Sequence, residues 1–165
     1  MPPYIRTGIG KAERGDLTVA QVLCYSRSSN LFDPRGAALQ KPNGSPIGVL
    51  LAEDADLVRS ALRRLLKAEP NIKLVGEAVN FSQTLHMAAD LKPNVVLLDL
   101  HMPDEKEFSP ALVRSQLSEA GARLLAMSIW NDDEAQALAA SYGAVALLDK
   151  ATIASGLIEA ILGLG

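Results

Sequence analysis

The segment VVLLDLHMP, residues 95–103, joins four consecutive apolar residues to a carboxylate, Asp99, and ends in Pro103. A continuous apolar run this short is typical of a strand buried on both faces, as in the centre of a parallel sheet. Because proline cannot continue a strand ladder, the strand must end and a loop must begin there. We therefore expect Asp99 at the carboxyl end of a buried strand, the edge at which ligands bind in open α/β sheets.

The composition is that of an ordinary globular domain. The 165 residues are 48 % apolar and 21 % charged, with a net charge of −3, which argues against a general nucleic-acid or membrane-surface binder. Cys24 is the single cysteine, so we exclude an intramolecular disulfide and interpret Cys24 as an idle thiol. Since the sequence has no apolar run of membrane-spanning length and no signal-peptide core, we expect a cytoplasmic protein.

Residues 1–46 differ from the rest of the chain because proline and glycine recur throughout them. Such a segment cannot bury enough apolar surface to offset its chain entropy. We therefore predict a flexible N-terminal extension, with one short helix over residues 16–25 capped by Asp16.

From residue 47 onward, short apolar runs alternate with helical periodicities. We predict strands at 47–52, 72–79, 95–99, 122–128 and 144–148. The helices are predicted at 55–67, from a cap at Asn80 or Ser82 to 91, at 107–117, from a cap at Asn131 or Asp132 to 142, and from a cap at Thr152 to 162. Arg59, Arg63 and Arg64 are placed on the outer face of the first helix. Five strands alternating with five helices predict an α/β domain over residues 47–165, built from right-handed βαβ units around a parallel sheet.

Polar residues fall at the ends of these apolar strands: Glu53-Asp54 after the first, Asp99 after the third, Ser128 after the fourth and Lys150 after the fifth. In a parallel sheet they share one edge, where three carboxylates repel one another when ionised. Mg²⁺ would relieve that repulsion, since it prefers hard oxygen ligands. An ammonium group and a hydroxyl beside a carboxylate nucleophile suit the acceptance of a phosphoryl group.

Each of these residues also has a simpler interpretation. Asp54 and Ser128 could be helix caps, and Lys150 could be a solvated charge. Asp99 is harder to explain in this way, because an unpaired buried carboxylate is costly. The combination at one sheet edge favours a functional site.

Residues 47–164 resemble the receiver domain of bacterial two-component response regulators. The resemblance rests on the acidic pair Glu53-Asp54, on Asp99 followed by Met102-Pro103, on Ser128, and on Lys150 after Gly143-Ala144. It implies a flavodoxin-like five-stranded sheet of order 2-1-3-4-5 between five helices.

The resemblance also implies the chemistry and the partners. Asp99 would be phosphorylated by a histidine kinase or phosphotransfer protein, or slowly by small phosphodonors. Asp54, Asp99 and the main-chain carbonyl of His101 would ligate Mg²⁺, and Glu53 would act through a metal-bound water. Ser128 would bond the phosphoryl group and shift when it arrives, and Lys150 would pair with it. Apart from accepting and losing this group, the chain would not be an enzyme.

The run from Val49 to Leu66 is most similar to regulators that carry a helix-turn-helix DNA-binding module after the receiver. This chain ends at Gly165, so we expect no direct DNA binding and an output through a partner protein of unknown identity. The signalling face, or a homodimer contact, would comprise the fourth helix, the fifth strand and the fifth helix.

The sequence departs from the family pattern at several positions. Leu147 stands where the family usually has an aromatic residue that rotates on activation, and Ala151 replaces a common proline. The resemblance implies that His101 and Trp130 fall at positions that tune phosphoryl lifetime. A solvent-facing loop residue is an equally simple interpretation of His101, and partly exposed packing on the fourth helix is the simpler interpretation of Trp130. These departures leave a second hypothesis open, a degenerate receiver that acts as a docking or dimerisation module independent of phosphorylation.

Two further classes fit the residues poorly. A cobalamin carrier would need a glycine where Asp104 stands, and its signature would follow the first strand. A haloacid-dehalogenase-type phosphatase would need an aspartate in place of His101.

Overall fold

The computed structural model describes residues 44–164. The predicted N-terminal extension, apart from residues 44–46, and the predicted helix at 16–25 lie outside the described residues. Five strands alternate with five α-helices in this part of the chain. The strands are β1 (Ile47–Ala52), β2 (Ile72–Ala78), β3 (Val95–Asp99), β4 (Arg123–Ser128) and β5 (Ala146–Asp149). The helices are α1 (Asp56–Ala68), α2 (Phe81–Leu91), α3 (Pro110–Glu119), α4 (Asp133–Ser141) and α5 (Leu157–Leu162).

The strands form one parallel sheet in the order β2-β1-β3-β4-β5, which confirms the predicted topology. Apolar residues on the two faces of the sheet form two separate clusters. One cluster lies beneath α2, α3 and α4, and the other lies beneath α1 and α5. β3 is buried along its whole length, as its unbroken apolar run predicts.

Two helices begin later than predicted. We expected the third helix to begin at residue 107, but α3 begins at Pro110, where the Ser109 side chain accepts from the Leu112 N–H. Residues 105–107 form a 3₁₀ turn instead. Proline disfavours helical backbone at the residue before it and suits the first turn after it, so the helix starts there.

The fifth helix begins at Leu157, and its predicted cap at Thr152 is wrong. Thr152 makes no side-chain cap, residues 153–155 form a 3₁₀ turn, and Gly156 precedes the helix. Glycine is among the least favourable residues inside a helix, which separates the turn from α5.

The fifth strand is also displaced, since it spans 146–149 rather than 144–148. Gly143 has φ +80° and ends α4, and the Ala144 N–H bonds back to the Ala139 carbonyl. This C-terminal turn, which favours glycine, occupies the residues that we assigned to the start of the strand.

Within residues 44–164, no helix combines the length and the apolar character that crossing a membrane would require.

Candidate functional site

The carboxyl edge of the sheet brings together the five side chains that the sequence singled out. Asp99 and Ser128 are the last residues of β3 and β4, and both are buried. Glu53 and Asp54 directly follow β1, and Lys150 directly follows β5. Glu53 is fully buried, whereas Asp54 is exposed.

Three of these residues form an acidic cluster. One carboxylate oxygen from each of Glu53, Asp54 and Asp99 lies within 4.8 Å of the others. Burial raises the pKa of the Glu53 carboxyl above its usual value, and the Asp99 charge adds to this, although Lys150 acts in the opposite direction. Concentrated negative charge with part of it removed from water is the condition that a bound cation relieves.

Lys150 lies between the two buried acids. Its Nζ is 2.7 Å from Asp99 Oδ2 and 2.7 Å from Glu53 Oε2. The contact with Asp99 is an aligned hydrogen bond, whereas Glu53 Oε2 has no aligned donor among the described residues. Burial alone would lower the pKa of the Lys150 ammonium, but its bonds to the two carboxylates outweigh burial and raise it. Lys150 is therefore held as a cation beside Asp99.

Ser128 presents a hydroxyl to the same edge. Its Oγ accepts from the Trp130 main-chain N–H at 3.0 Å, and its carbonyl accepts from the Lys150 N–H at 2.8 Å. Because a hydroxyl can donate and accept at the same time, accepting from Trp130 does not use the Ser128 proton.

Two aromatic rings meet at the mouth of the site. His101 and Trp130 pack edge to face, with their ring centroids 4.9 Å apart, and His101 Nδ1 lies 3.4 Å from Glu105 Oε2. Both residues line a cleft of about 500 Å³ that leads to Asp99 and Lys150. Trp130 is 53 % exposed, as its surface-packing interpretation predicts, but its contact with His101 spans two loops.

The donor set fits a hard divalent cation. It consists of carboxylate oxygens, and the buried Glu53 Oε2 atom is paired within residues 44–164 only with the Lys150 ammonium, at 2.7 Å. The His101 carbonyl, which the resemblance adds to the set, accepts no hydrogen bond from any residue in this part of the chain. Oxygen donors of this kind suit Mg²⁺.

Arg59 contributes to the site, which the sequence did not indicate. We placed it on the outer face of the first helix, but its side chain is only 13 % exposed. The guanidinium folds back and donates to the main-chain carbonyls of Glu53 at 2.8 Å and Asp54 at 3.1 Å. Helical spacing cannot reveal such a bond because the acceptors are backbone atoms.

Asp104 is a second residue that sequence analysis missed. Its carboxylate accepts from the first main-chain N–H groups of α2, at 2.8 Å from Phe81 and 3.0 Å from Ser82. We noted Asp104 only as a residue that disagrees with the cobalamin signature.

Leu147, which departs from the family pattern, is buried in the cluster beneath α2, α3 and α4. Its aliphatic side chain fills one of the two core positions of β5, and Leu148 fills the other on the opposite face.

Comparison with known families decides the assignment. The family described as "Response regulator receiver domain" matches residues 49–162, most of the chain. The chain belongs to this family. The five-stranded order and the acidic cluster agree with it.

The relatives of this receiver domain include a response regulator and an enzyme. It is 30 % identical over 119 residues to the nitrate/nitrite response regulator protein NarL of Escherichia coli, covering 72 % of this chain and 55 % of that protein. It is 33 % identical over 114 residues to a protein-glutamate methylesterase/protein-glutamine glutaminase of Anaeromyxobacter dehalogenans, covering 69 % of this chain and 33 % of that protein. The chain thus spans about half or less of the length of these relatives.

Among solved structures, the receiver domain is similar to the signal receiver domain of a response regulator NarL from Mycobacterium tuberculosis. The TM-score is 0.65 at 25 % identity, over 72 % of this chain and 95 % of that chain. The response regulator domain of Thermotoga maritima CheB shares the fold, with a TM-score of 0.62 over 71 % of this chain and 94 % of that chain, at 24 % identity.

Proposed function

We propose that this chain is a phosphoryl-accepting switch in which Asp99 is the acceptor and Mg²⁺ is the cofactor. The observation that carries the proposal is the setting of Asp99, a buried carboxylate 2.7 Å from the Lys150 ammonium and next to the acidic pair Glu53-Asp54. A carboxylate flanked by groups that stabilise developing negative charge suits nucleophilic attack on phosphorus.

Three side chains take part in the proposed transfer of the phosphoryl group. An Asp99 oxygen attacks the phosphorus atom, so that a P–O bond forms while the bond from phosphorus to the donor breaks and its electron pair leaves with the donor. The Lys150 ammonium, now paired with Asp99, exchanges that partner for a phosphoryl oxygen. The Ser128 hydroxyl donates to a second phosphoryl oxygen.

The cation would be held by Asp54, Asp99 and the His101 main-chain carbonyl, with Glu53 reaching it through water. When bound, Mg²⁺ neutralises charge on the carboxylates and on the incoming phosphoryl oxygens. The donor would be a histidine kinase or phosphotransfer protein in the cytoplasm, and we infer no catalysis on other substrates.

The switch would act through α4, β5 and α5. Ser128 leads into α4 and Lys150 leads into α5, so both groups that bind the phosphoryl group lie at the entries to this face. Phosphorylation would favour one arrangement of the face and thereby bind a partner or a second copy. Because Leu147 is aliphatic, the usual rotation of an aromatic residue cannot supply the coupling, and the loop between Ser128 and α4 would carry it.

The test is the intact mass of the protein after incubation with acetyl phosphate, with and without Mg²⁺. We expect the gain of one phosphoryl group that depends on Mg²⁺ and is lost in Asp99→Asn. Asp149→Asn is the matched control, since Asp149 ends β5 at the same sheet edge but its side chain, among the described residues, accepts only from the nearby Ala151 N–H, at 2.8 Å. A gain that persists in Asp99→Asn would overturn the assignment. No gain, together with no Mg²⁺ binding, would favour the docking module independent of phosphorylation.

A further inference from the structure

The geometry points to Asp104 as a positioning residue for the cation site, which it serves by fixing the loop that carries the His101 carbonyl. This inference rests on the proposed function, since it concerns the same Mg²⁺ site. Asp104 itself lies outside the acidic cluster and does not line the cleft.

The loop of residues 100–104 is fixed at its start by β3 and β4. The Leu100 N–H donates to the Met127 carbonyl at 3.1 Å, and the His101 N–H donates to Asp99 Oδ1 at 3.1 Å. Pro103 has no N–H to contribute, so a hydrogen bond from the backbone N–H cannot fix the loop at that point.

Asp104 fixes the far end of the loop. Its two carboxylate oxygens accept from successive N–H groups of α2, at 2.8 Å from Phe81 and 3.0 Å from Ser82. These N–H groups lie in the first turn, where a helix leaves its donors without intrahelical partners and favours negative charge. The Phe81 ring is fully buried and stacks on Phe108, with ring centroids 6.1 Å apart, so the residue that donates this bond is packed in the core.

Asp104 is not the only side chain that caps the start of α2. The Asn80 side chain separately accepts from the Gln83 N–H at 2.8 Å. Asp104 therefore supplies a tether between two elements as well as a cap. Its bonds span 23 and 22 residues of sequence, from the loop beside Asp99 to the start of a helix that packs on β1 and β2.

Fixing both ends of the loop also fixes the direction of the His101 carbonyl group. The His101 carbonyl lies between the two anchors and is free of hydrogen bonds within residues 44–164. Mg²⁺ demands near-ideal octahedral geometry, so a loop that can turn its peptide plane presents a poorer ligand. Groups that hold a ligand in place affect metal affinity even though they do not touch the metal.

The test is Mg²⁺ binding measured by titration calorimetry on the full chain and its variants. Asp104→Ala should weaken Mg²⁺ binding about tenfold, the lower end of the usual effect of groups that orient ligands. The Mg²⁺ affinity of Asp104→Asn should fall between those of Asp104→Ala and the unaltered chain, because the amide keeps one acceptor oxygen and loses the other. Circular dichroism and thermal unfolding establish that each variant is folded.

Two control variants distinguish the positioning of the His101 carbonyl from the loss of a helix cap and from the loss of a negative charge. Asn80→Ala removes the other cap of α2, so it should lower the thermal stability comparably and leave Mg²⁺ affinity unchanged. Glu107→Gln removes a charge from the same loop region on an exposed residue, and it should also leave the affinity unchanged. Equal affinity in Asp104→Ala and the unaltered chain, or an equal loss in Asn80→Ala, would overturn the inference. Absence of Mg²⁺ binding by the unaltered chain would instead overturn the proposed function, and the inference with it.

Discussion

At the scale of single residues, the site concentrates unfavourable negative charge around Asp99, the proposed nucleophile. Glu53 is fully buried, and the loss of its hydration is offset by the Lys150 ammonium, 2.7 Å from Oε2, and by the Ala55 N–H, 3.3 Å from Oε1. Burial of an ionised carboxylate costs free energy that pairing returns only in part. The arrangement is therefore poorer for stability than an apolar edge would be and better for holding a cation.

The raised pKa of Glu53 gives this cost a pH dependence. Since the folded-state pKa lies above the usual value of 4.5, the contribution of Glu53 to stability is fully present below pH 4.5 and is lost as pH rises through the folded-state pKa. In cation-free protein, Glu53→Gln should therefore gain stability relative to the unaltered chain as pH rises across this window. Thermal unfolding in EDTA at several pH values measures the difference, and the exposed Glu107→Gln is the control. A constant difference across that range would contradict the prediction.

The His101–Trp130 contact predicts an effect on the lifetime of the phosphoryl group. Trp130→Ala would open the mouth of the cleft and admit water to phospho-Asp99, so hydrolysis should be several-fold faster. The measurement is the decay of the phosphorylated mass after removal of the donor. Leu57→Ala is the control, because Leu57 is 87 % exposed on α1 and does not line the cleft. Equal decay in Trp130→Ala and the unaltered chain would show that the rings do not shield Asp99.

The sequence predicted the positions of Glu53, Asp99, Ser128 and Lys150 because each ends or directly follows an apolar strand. The parallel topology then brings the carboxyl ends of the strands to one edge of the sheet, independently of the loop conformations. Arg59 and Asp104 escaped prediction for a physical reason. Arg59 also pairs with the Asp56 carboxylate, but its bonds beside the site end on main-chain carbonyls. The partners of Asp104 are main-chain N–H groups more than 20 residues away, so residue type and spacing do not reveal either set of bonds.

At the scale of elements, helix starts were less predictable than strand cores. The apolar runs of β1, β3 and β4 locate these strands in the sequence, because a strand buried on both faces must be apolar along its whole length. The start of α5 instead depends on Gly156 and the turn before it, where propensities differ by about 1 kcal/mol or less per residue and tertiary packing decides.

Close packing of β2 against α2 predicts one sensitive glycine. A Cβ at Gly76 would lie 2.5 Å from Met87 Cε, 2.9 Å from Leu91 Cδ1 and 3.1 Å from Leu50 Cδ1. These are ends of flexible side chains, so Gly76→Ala should cost about 1–2 kcal/mol in stability rather than prevent folding. Denaturant unfolding measures this cost.

Gly156→Ala is the matched control, since no atom lies within 4 Å of its added Cβ. Its backbone φ of −131° suits any residue, so we expect a neutral effect or a gain of about 0.4–1 kcal/mol from the stiffer unfolded chain. Equal effects at the two glycines would show that the β2–α2 contact is not tight.

At the scale of the whole molecule, the packed sheet supports the edge that we propose to change state on phosphorylation. The two apolar clusters fix the sheet, while the residues proposed to respond to phosphate lie at strand ends and in loops. This division is the one expected of a switch, in which a few contacts bias two arrangements of the same core.

Cation binding should stabilise the whole domain, because a ligand that binds only the folded state shifts the unfolding equilibrium. At a Mg²⁺ concentration about a hundredfold above its Kd, the gain is roughly 2.7 kcal/mol, visible as an upward shift of Tm that EDTA reverses. Asp54→Asn should reduce the shift, and Asp149→Asn should retain it. An unchanged shift in Asp54→Asn would place the cation elsewhere.

The most direct measurement of the central claim is chemical identification of the phosphorylated residue. After reaction with acetyl phosphate and Mg²⁺, borohydride reduces an aspartyl phosphate to homoserine, which tandem mass spectrometry of peptides locates. We predict homoserine at position 99 and an unmodified Asp54. Conversion at Asp54 or at any other carboxylate, with Asp99 intact, would contradict the assignment of Asp99 as the acceptor.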